Sequence, residues 1–204
     1  MYKTEQEEFW ATEFGKEYIE RNQGKHLLAA NLVFFTKALR QTNDLNSIVE
    51  FGANIGMNIN ALQLLKPDLS CNAIEINPNA TKILSNLISK ESIFEGSIFD
   101  YTVNETYDLS MIKGVLIHIN PAMLNEVYEK LYQSSNKYIL IAEYYNPSPV
   151  SIEYRGHKDR LFKRDFAGEF LDKYKDVKLI DYGFEYRRDP NYPQDDITWF
   201  LMEK

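Results

Sequence analysis

Gly52, Asn54 and Gly56 break the end of an apolar run, Ser47-Ile-Val-Glu-Phe51, and Glu75 closes a second run, Ala73-Ile-Glu75. Glycines let backbone approach a ligand where a Cβ would collide, and a carboxylate at a strand end accepts hydrogen bonds from both hydroxyls of a ribose. A strand, a glycine turn, a helix and a second strand ending in an acid is the half-site by which α/β proteins hold an adenosine-bearing cofactor. The dinucleotide fingerprint G-x-G-x-x-G is incomplete here, because Asn54 stands in the place of its second glycine and Glu50 precedes the turn. A carboxylate at short range repels a pyrophosphate and attracts a cation. S-adenosylmethionine, with its sulfonium and ammonium, therefore fits better than NAD; a structural turn with no ligand is the alternative. The cofactor side comprises Glu50, Gly52, Ala53, Asn54 and Gly56, with Glu75 and Ile76 at the ribose.

Further chemistry lies in the turns after later strands, since ligands of doubly wound sheets bind outside the carboxyl ends. Gly96-Ser97-Ile98 is placed to flank an adenine, with Ile98 against the ring and Ser97 either reaching its exocyclic amine or serving as a turn residue. Lys113 ends the fourth strand on the cofactor side, and His118 follows just before a helix. An imidazole there suits a base that takes a proton from a hydroxyl acceptor; the alternative is a histidine that hydrogen-bonds the loop. Beyond the fifth strand come Tyr144, Tyr145 and Tyr154, then the basic stretch from Arg155 to Arg164, with His157 and Lys163 inside it. Aromatics beside cations make a wall for a ring with an anionic group, and Arg155 and Arg164 can grip a carboxylate in two places. The alternatives are packing for the tyrosines and a solvated basic face.

Periodicity supplies the elements that must position these groups. Helices are expected over 5–22, with Trp10, Phe14 and Tyr18 on one stripe, and over 25–40, 56–66, 78–89, 121–134 and 164–174. Strands are expected at 47–51, 71–76, 92–95, 107–113, 137–143, 177–186 and 196–202. Asn120 suits an N-cap and Pro121 a first helical position. Alternating strands and helices give a parallel sheet covered on both faces, and two successive strands at the end pair as an antiparallel hairpin.

The 204 residues suit a single domain, with helices over 1–42 and an α/β core over 43–204. A net charge of −7 opposes general nucleic-acid binding. Cys71 is a lone cysteine read as a core residue, and the three histidines lack metal-ligand spacing, so no metal is expected. The acidic start is unlike a secretion signal, and no apolar run of about 18 residues crosses a bilayer, so a cytoplasmic protein is expected.

Longer blocks carry a resemblance: Lys113-Gly-Val-Leu-Ile-His-Ile-Asn-Pro121, Ala142-Glu-Tyr-Tyr-Asn-Pro-Ser-Pro149, Tyr154-Arg-Gly-His157, Leu161-Phe-Lys-Arg-Asp-Phe-Ala-Gly-Glu169 and Asp189-Pro-Asn-Tyr-Pro-Gln-Asp-Asp196. With Phe9-Trp10 and Tyr18-Ile-Glu-Arg-Asn22, they make the chain similar to the pseudaminic acid biosynthesis-associated methylases over nearly its whole length. The resemblance implies a small bacterial S-adenosylmethionine-dependent methyltransferase of class I Rossmann-like fold. Such a fold has a seven-stranded, mostly parallel sheet with a C-terminal antiparallel hairpin. It also implies a helical lid, for which Trp10, Tyr18, Arg21 and Asn22 are candidates; a docking face is the alternative. The implied acceptor is a hydroxyl or amine of a small anionic sugar, a pseudaminic (nonulosonic) acid or its precursor, held by Arg155, His157, Lys163 or Arg164. The rivals are another small metabolite, or a non-catalytic cofactor-binding subunit of a glycan assembly complex. No feature of the sequence fixes an oligomeric state.

Overall fold

A computed structural model describes residues 2–21 and 24–204, without the side chains at 13, 16, 20 and 21. Three helices come first, α1 (Glu5–Ala11), α2 (Glu13–Arg21) and α3 (Lys25–Ala38). The single helix expected over 5–22 is interrupted at Thr12, which leaves helical geometry at φ −112°, ψ −145°. Its hydroxyl bonds back to the Glu8 carbonyl at 2.7 Å, the competition with the helix ladder for which threonine is suited.

The core alternates β1 (Ser47–Phe51), α4 (Met57–Leu65), β2 (Ser70–Glu75), α5 (Pro78–Leu84), β3 (Ile93–Glu95), β4 (Tyr107–Lys113), α6 (Leu124–Ser134) and β5 (Ser135–Glu143). Helix α5 stops at Leu84, short of the 78–89 expected, and 121–134 opens with a 3-10 turn at Pro121–Met123. Asn120 caps that turn by accepting the Ala122 N–H at 3.0 Å.

After β5 the chain forms β6 (Val150–Tyr154) and β7 (His157–Lys163), an antiparallel pair separate from the main sheet that the sequence reading did not anticipate. Helix α7 (Phe166–Lys173), β8 (Lys178–Glu185) and β9 (Ile197–Glu203) complete the fold. The main sheet has seven strands in the order β3-β2-β1-β4-β5-β9-β8. The first five are parallel, and β9 lies antiparallel between β5 and β8.

Strand period explains the two cores. Successive side chains point to opposite faces, so Ile48 joins Phe34, Ile59, Leu62 and Met111 under α3 and α4, whereas Val49 joins Ile112, Leu131, Ile141 and Phe170 under α6 and α7. With both faces covered, chemistry is left to the strand ends. Among the described residues no helix is long and apolar enough to cross a membrane.

Candidate active site

A cavity of about 200 Å³ opens at the carboxyl ends of β1 to β4, with the N-terminal helices over it. The turn after β1 forms its floor. Gly52 adopts φ +78°, and a Cβ there would lie 2.6 Å from Val115 Cγ2, so both conformation and space demand glycine. Gly56, at φ +82° before α4, faces elsewhere: its Cβ would meet Leu84 Cδ1 at 2.5 Å. It sets helix packing and does not line the cavity, so its expected part in direct cofactor binding becomes a supporting one.

Asn54, at φ +49°, donates its backbone N–H to Glu75 Oε2 at 2.7 Å, and the Asn77 N–H donates to Oε1 at the same distance. Glu75 is thus fixed in place, and it lines the cavity. Burial raises its pKa and the backbone donors oppose the shift. Ile76 and Ile98 line the same region.

Glu50 lies one layer back, fully buried behind Asn58 and Lys113, which line the cavity. Asn58 Nδ2 donates to Glu50 Oε1 at 2.6 Å, but Glu50 Oε2 and Asn58 Oδ1 have no partner among the described residues. These two buried oxygens without partners among the described residues suit a ligand group bearing several N–H donors. Burial pushes the Glu50 carboxyl up to about 8 against the pull of Asn58 and Lys113, and the same burial lowers Lys113.

Ser97 lines the cavity, and its hydroxyl accepts the Phe99 N–H at 3.1 Å and donates to Glu7 of α1. The turn reading of Ser97 therefore applies, on the cavity wall. Trp10 and Tyr18 also line it, and the Trp10 carbonyl accepts from Asn77 Nδ2 at 3.0 Å. The Arg21 side chain and Asn22 lie outside the described residues.

His118 ends a 3-10 turn, Leu116–His118, held by Glu143 of β5. The Glu143 carboxylate accepts the Val115 and Leu116 N–H groups, both at 2.9 Å, and that of Ile117 at 3.4 Å. The imidazole Nδ1 lies 2.6 Å from the Arg160 carbonyl, so it carries the proton and Nε2 is left as the acceptor. Burial pushes the ring down to about 4. Trp10 and Tyr154 pack beside it with centroids at 4.5 and 5.1 Å.

The basic stretch does not form one pocket. Arg155 occupies the tip of the β6–β7 hairpin at φ +50°, its guanidinium 5.8 Å from the Tyr154 ring. His157 packs on Phe9 at 5.0 Å, and Lys163 lies over Tyr144 at 5.0 Å. Arg164 Nε ion-pairs with Glu169 Oε1 at 2.6 Å, so a carboxylate already faces the guanidinium expected to grip an anion. Tyr145 is half-exposed beside Phe200. None of Tyr144, Tyr145, Tyr154, Arg155, His157, Lys163 and Arg164 lines the cavity. Glu7, Asn31, Asn58, Gln194 and Asp195 do line it and were not singled out from sequence. Asn31 interrupts the apolar face of α3, and its carboxamide accepts from Gln194 Nε2 at 3.0 Å. That interruption was the one available signal.

No protein-family model matches the sequence, and no curated protein matches it. Solved structures do match. An S-adenosylmethionine-dependent methyltransferase from Leishmania major has a TM-score of 0.70 at 15% identity, covering 98% of this chain and 87% of that one. A 1,6-didemethyltoxoflavin-N1-methyltransferase from Burkholderia thailandensis, solved with its substrate and S-adenosylhomocysteine, has a TM-score of 0.71 at 10% identity, covering 98% and 86%. The chain has the class I methyltransferase fold. A third such structure, from Archaeoglobus fulgidus, has a TM-score of 0.65 at 12% identity and is covered over its full length, 100%, by 94% of this chain. At these identities the likeness establishes the fold, including the hairpin of β8 and β9, and the chemistry must be argued from the site.

Proposed function

We propose that this chain transfers a methyl group from S-adenosylmethionine to a hydroxyl or amine of a small anionic sugar. The observation that carries the cofactor reading is the pair of orphaned acceptors, Glu50 Oε2 and Asn58 Oδ1, one layer behind a glycine turn whose other end fixes Glu75. An ammonium facing Asn58, with Glu50 behind it, suits the first group and ribose hydroxyls the second; a dinucleotide would bring phosphates to the side of the turn where an ionised Glu50 repels them. Lys113, between Glu50 and the cavity, suits the amino acid carboxylate. When bound, the cofactor supplies an electrophilic methyl on a sulfonium, so the protein's work is mainly positioning.

His118 is the acceptor-side group. Its tautomer is fixed by the Arg160 carbonyl and its ring is neutral at physiological pH, which leaves Nε2 to take a hydrogen bond or proton from the attacking group. The anionic sugar, a nonulosonic acid such as pseudaminic acid or its precursor, rests on the sequence resemblance and on Arg155, which packs on Tyr154, the neighbour of His118. Arg155 would hold the acceptor's carboxylate at the rim.

The test is mass spectrometry of candidate sugars incubated with the protein and methyl-labelled cofactor. Label in a nonulosonic acid or its precursor supports the reading. Cofactor binding without transfer to any sugar or other metabolite would make the chain a binding subunit. Arg155→Ala should raise the acceptor's KM about tenfold with cofactor affinity unchanged; an unchanged KM removes the rim contact.

A further inference from the structure

The α1 helix brings a carboxylate to a place where the core of the fold supplies none. Glu7 is 7% exposed and lines the cavity, although it lies far from the core in sequence. Its Oε2 accepts the Lys3 and Thr4 N–H groups at 2.7 and 2.8 Å, and Thr4 Oγ1 accepts the Glu7 N–H at 3.2 Å, which closes a capping box on α1. Among the described residues its Oε1 accepts the Ser97 hydroxyl, and since Glu7 lines the cavity a second lone pair of that oxygen can take a donor from a ligand there. The turn after β3 therefore has a carboxylate, borrowed from the N-terminal helix through Ser97.

Which part of a ligand meets it follows from the order of strands. The orphaned acceptors mark the ammonium end behind β1, beside Lys113 of β4, and Glu75 marks the ribose at β2. The sheet continues from β2 to β3, so a ligand extended along the strand ends places its base against Gly96, Ser97 and Ile98, with Glu7 over them. Ile98 offers the apolar surface and Glu7 the acceptor. A base with an exocyclic amine satisfies that lone pair, whereas one with a carbonyl in the same place meets a carboxylate with a second acceptor.

We propose that Glu7 of α1 reads the base of the bound nucleoside, taking a hydrogen bond from the exocyclic amine and so selecting adenine over hypoxanthine. This rests on the S-adenosylmethionine reading. One consequence concerns the helix itself. Lys3, just before α1, donates its Nζ to the Phe99 carbonyl at 3.2 Å and Gln6 Nε2 of α1 donates to the Asp159 carbonyl at 3.0 Å, so the N-terminal segment with α1 spans from the base end to the hairpin that holds His118. Base recognition and the seating of the acceptor side share one element.

The experiment is calorimetry with two probes, S-adenosylhomocysteine and its deaminated analogue S-inosylhomocysteine, against wild type, Glu7→Gln and Thr4→Ala. Wild type should favour the adenine form by about 10²-fold or more, as sites built to hydrogen-bond a group reject analogues that lack it. Glu7→Gln should reduce that preference below about tenfold, because a carboxamide can turn its N–H₂ toward a carbonyl. Thr4→Ala removes the cap and keeps the carboxylate, so it should lower thermal stability and leave the preference intact. Should Glu7→Gln fail to fold, Glu7→Asp, which withdraws the carboxylate by one methylene, provides the same ratio. An unchanged preference in the Glu7 variant, or equal loss in Thr4→Ala, overturns the proposal. Absence of S-adenosylhomocysteine binding in wild type would instead overturn the cofactor reading on which it rests.

Discussion

A histidine whose Nδ1 is committed to a carbonyl and whose ring is buried among Trp10 and Tyr154 behaves differently from one in solution. Its pKa lies at about 4, so the ring stays neutral across the physiological range, able to accept a proton transiently but not to hold one. Nuclear magnetic resonance of the three histidines should find one that does not titrate between pH 5.5 and 8 and that disappears in His118→Gln. A full set of titrations near 6.5 would contradict the buried, neutral ring. If Nε2 is the acceptor-side group, His118→Gln lowers kcat by about 10² and leaves cofactor affinity nearly intact; unchanged turnover removes it from the chemistry.

At the scale of elements, the loop carrying His118 depends on Glu143 more than on its own residues. One carboxylate satisfies three successive backbone N–H groups that a 3-10 turn leaves exposed at its start. Glu143→Ala should lower stability by about 3 kcal/mol or more, since buried donors left unpaired cost about 1–3 kcal/mol each, and should reduce kcat with it. Denaturant unfolding checks the first, and a loss under about 0.5 kcal/mol would contradict it.

The same scale shows what the sequence made legible. Gly52, Gly56 and Glu75 could be read because strand, turn and strand are local, and each residue type has a local physical reason. The β6–β7 hairpin could not. Its turn, Arg155-Gly156, has φ +50° and +83°, a conformation that Asn-Gly favours and arginine signals poorly. The basic stretch looked like a pocket because its partners are remote or on other elements: Arg160 pairs with Glu5 at 3.0 Å, and Arg164 with Glu169. Likewise the stripe of Trp10, Phe14 and Tyr18 keeps helical spacing across the break at Thr12, which periodicity alone does not detect.

For the molecule as a whole, Glu50 and Glu143 set the pH dependence. Burial raises their pKa values to about 8 and about 7 from an ordinary 4.5. The folded protein then binds more protons than the unfolded chain between these values, so stability is greatest below the unfolded pKa and is lost as pH rises through the folded ones. His118 acts oppositely, its depressed pKa taking stability away as pH falls below 6.5. Between pH 6.5 and 8 only the carboxylates of this set operate, and the melting temperature should fall by about 2–6 °C. A rise over that interval would contradict the assignment. The central claim, that a methyl-donating cation sits in the cavity in front of the buried Glu50, has its most direct test in calorimetry of S-adenosylmethionine binding at pH 6.5 in buffers of different ionisation enthalpy. The expected result is one site, release of up to one proton as the nearby ammonium ionises Glu50, and at least about tenfold weaker binding with no proton release in Glu50→Gln. Binding that is equally tight in Glu50→Gln, or a preference for NAD, would contradict it.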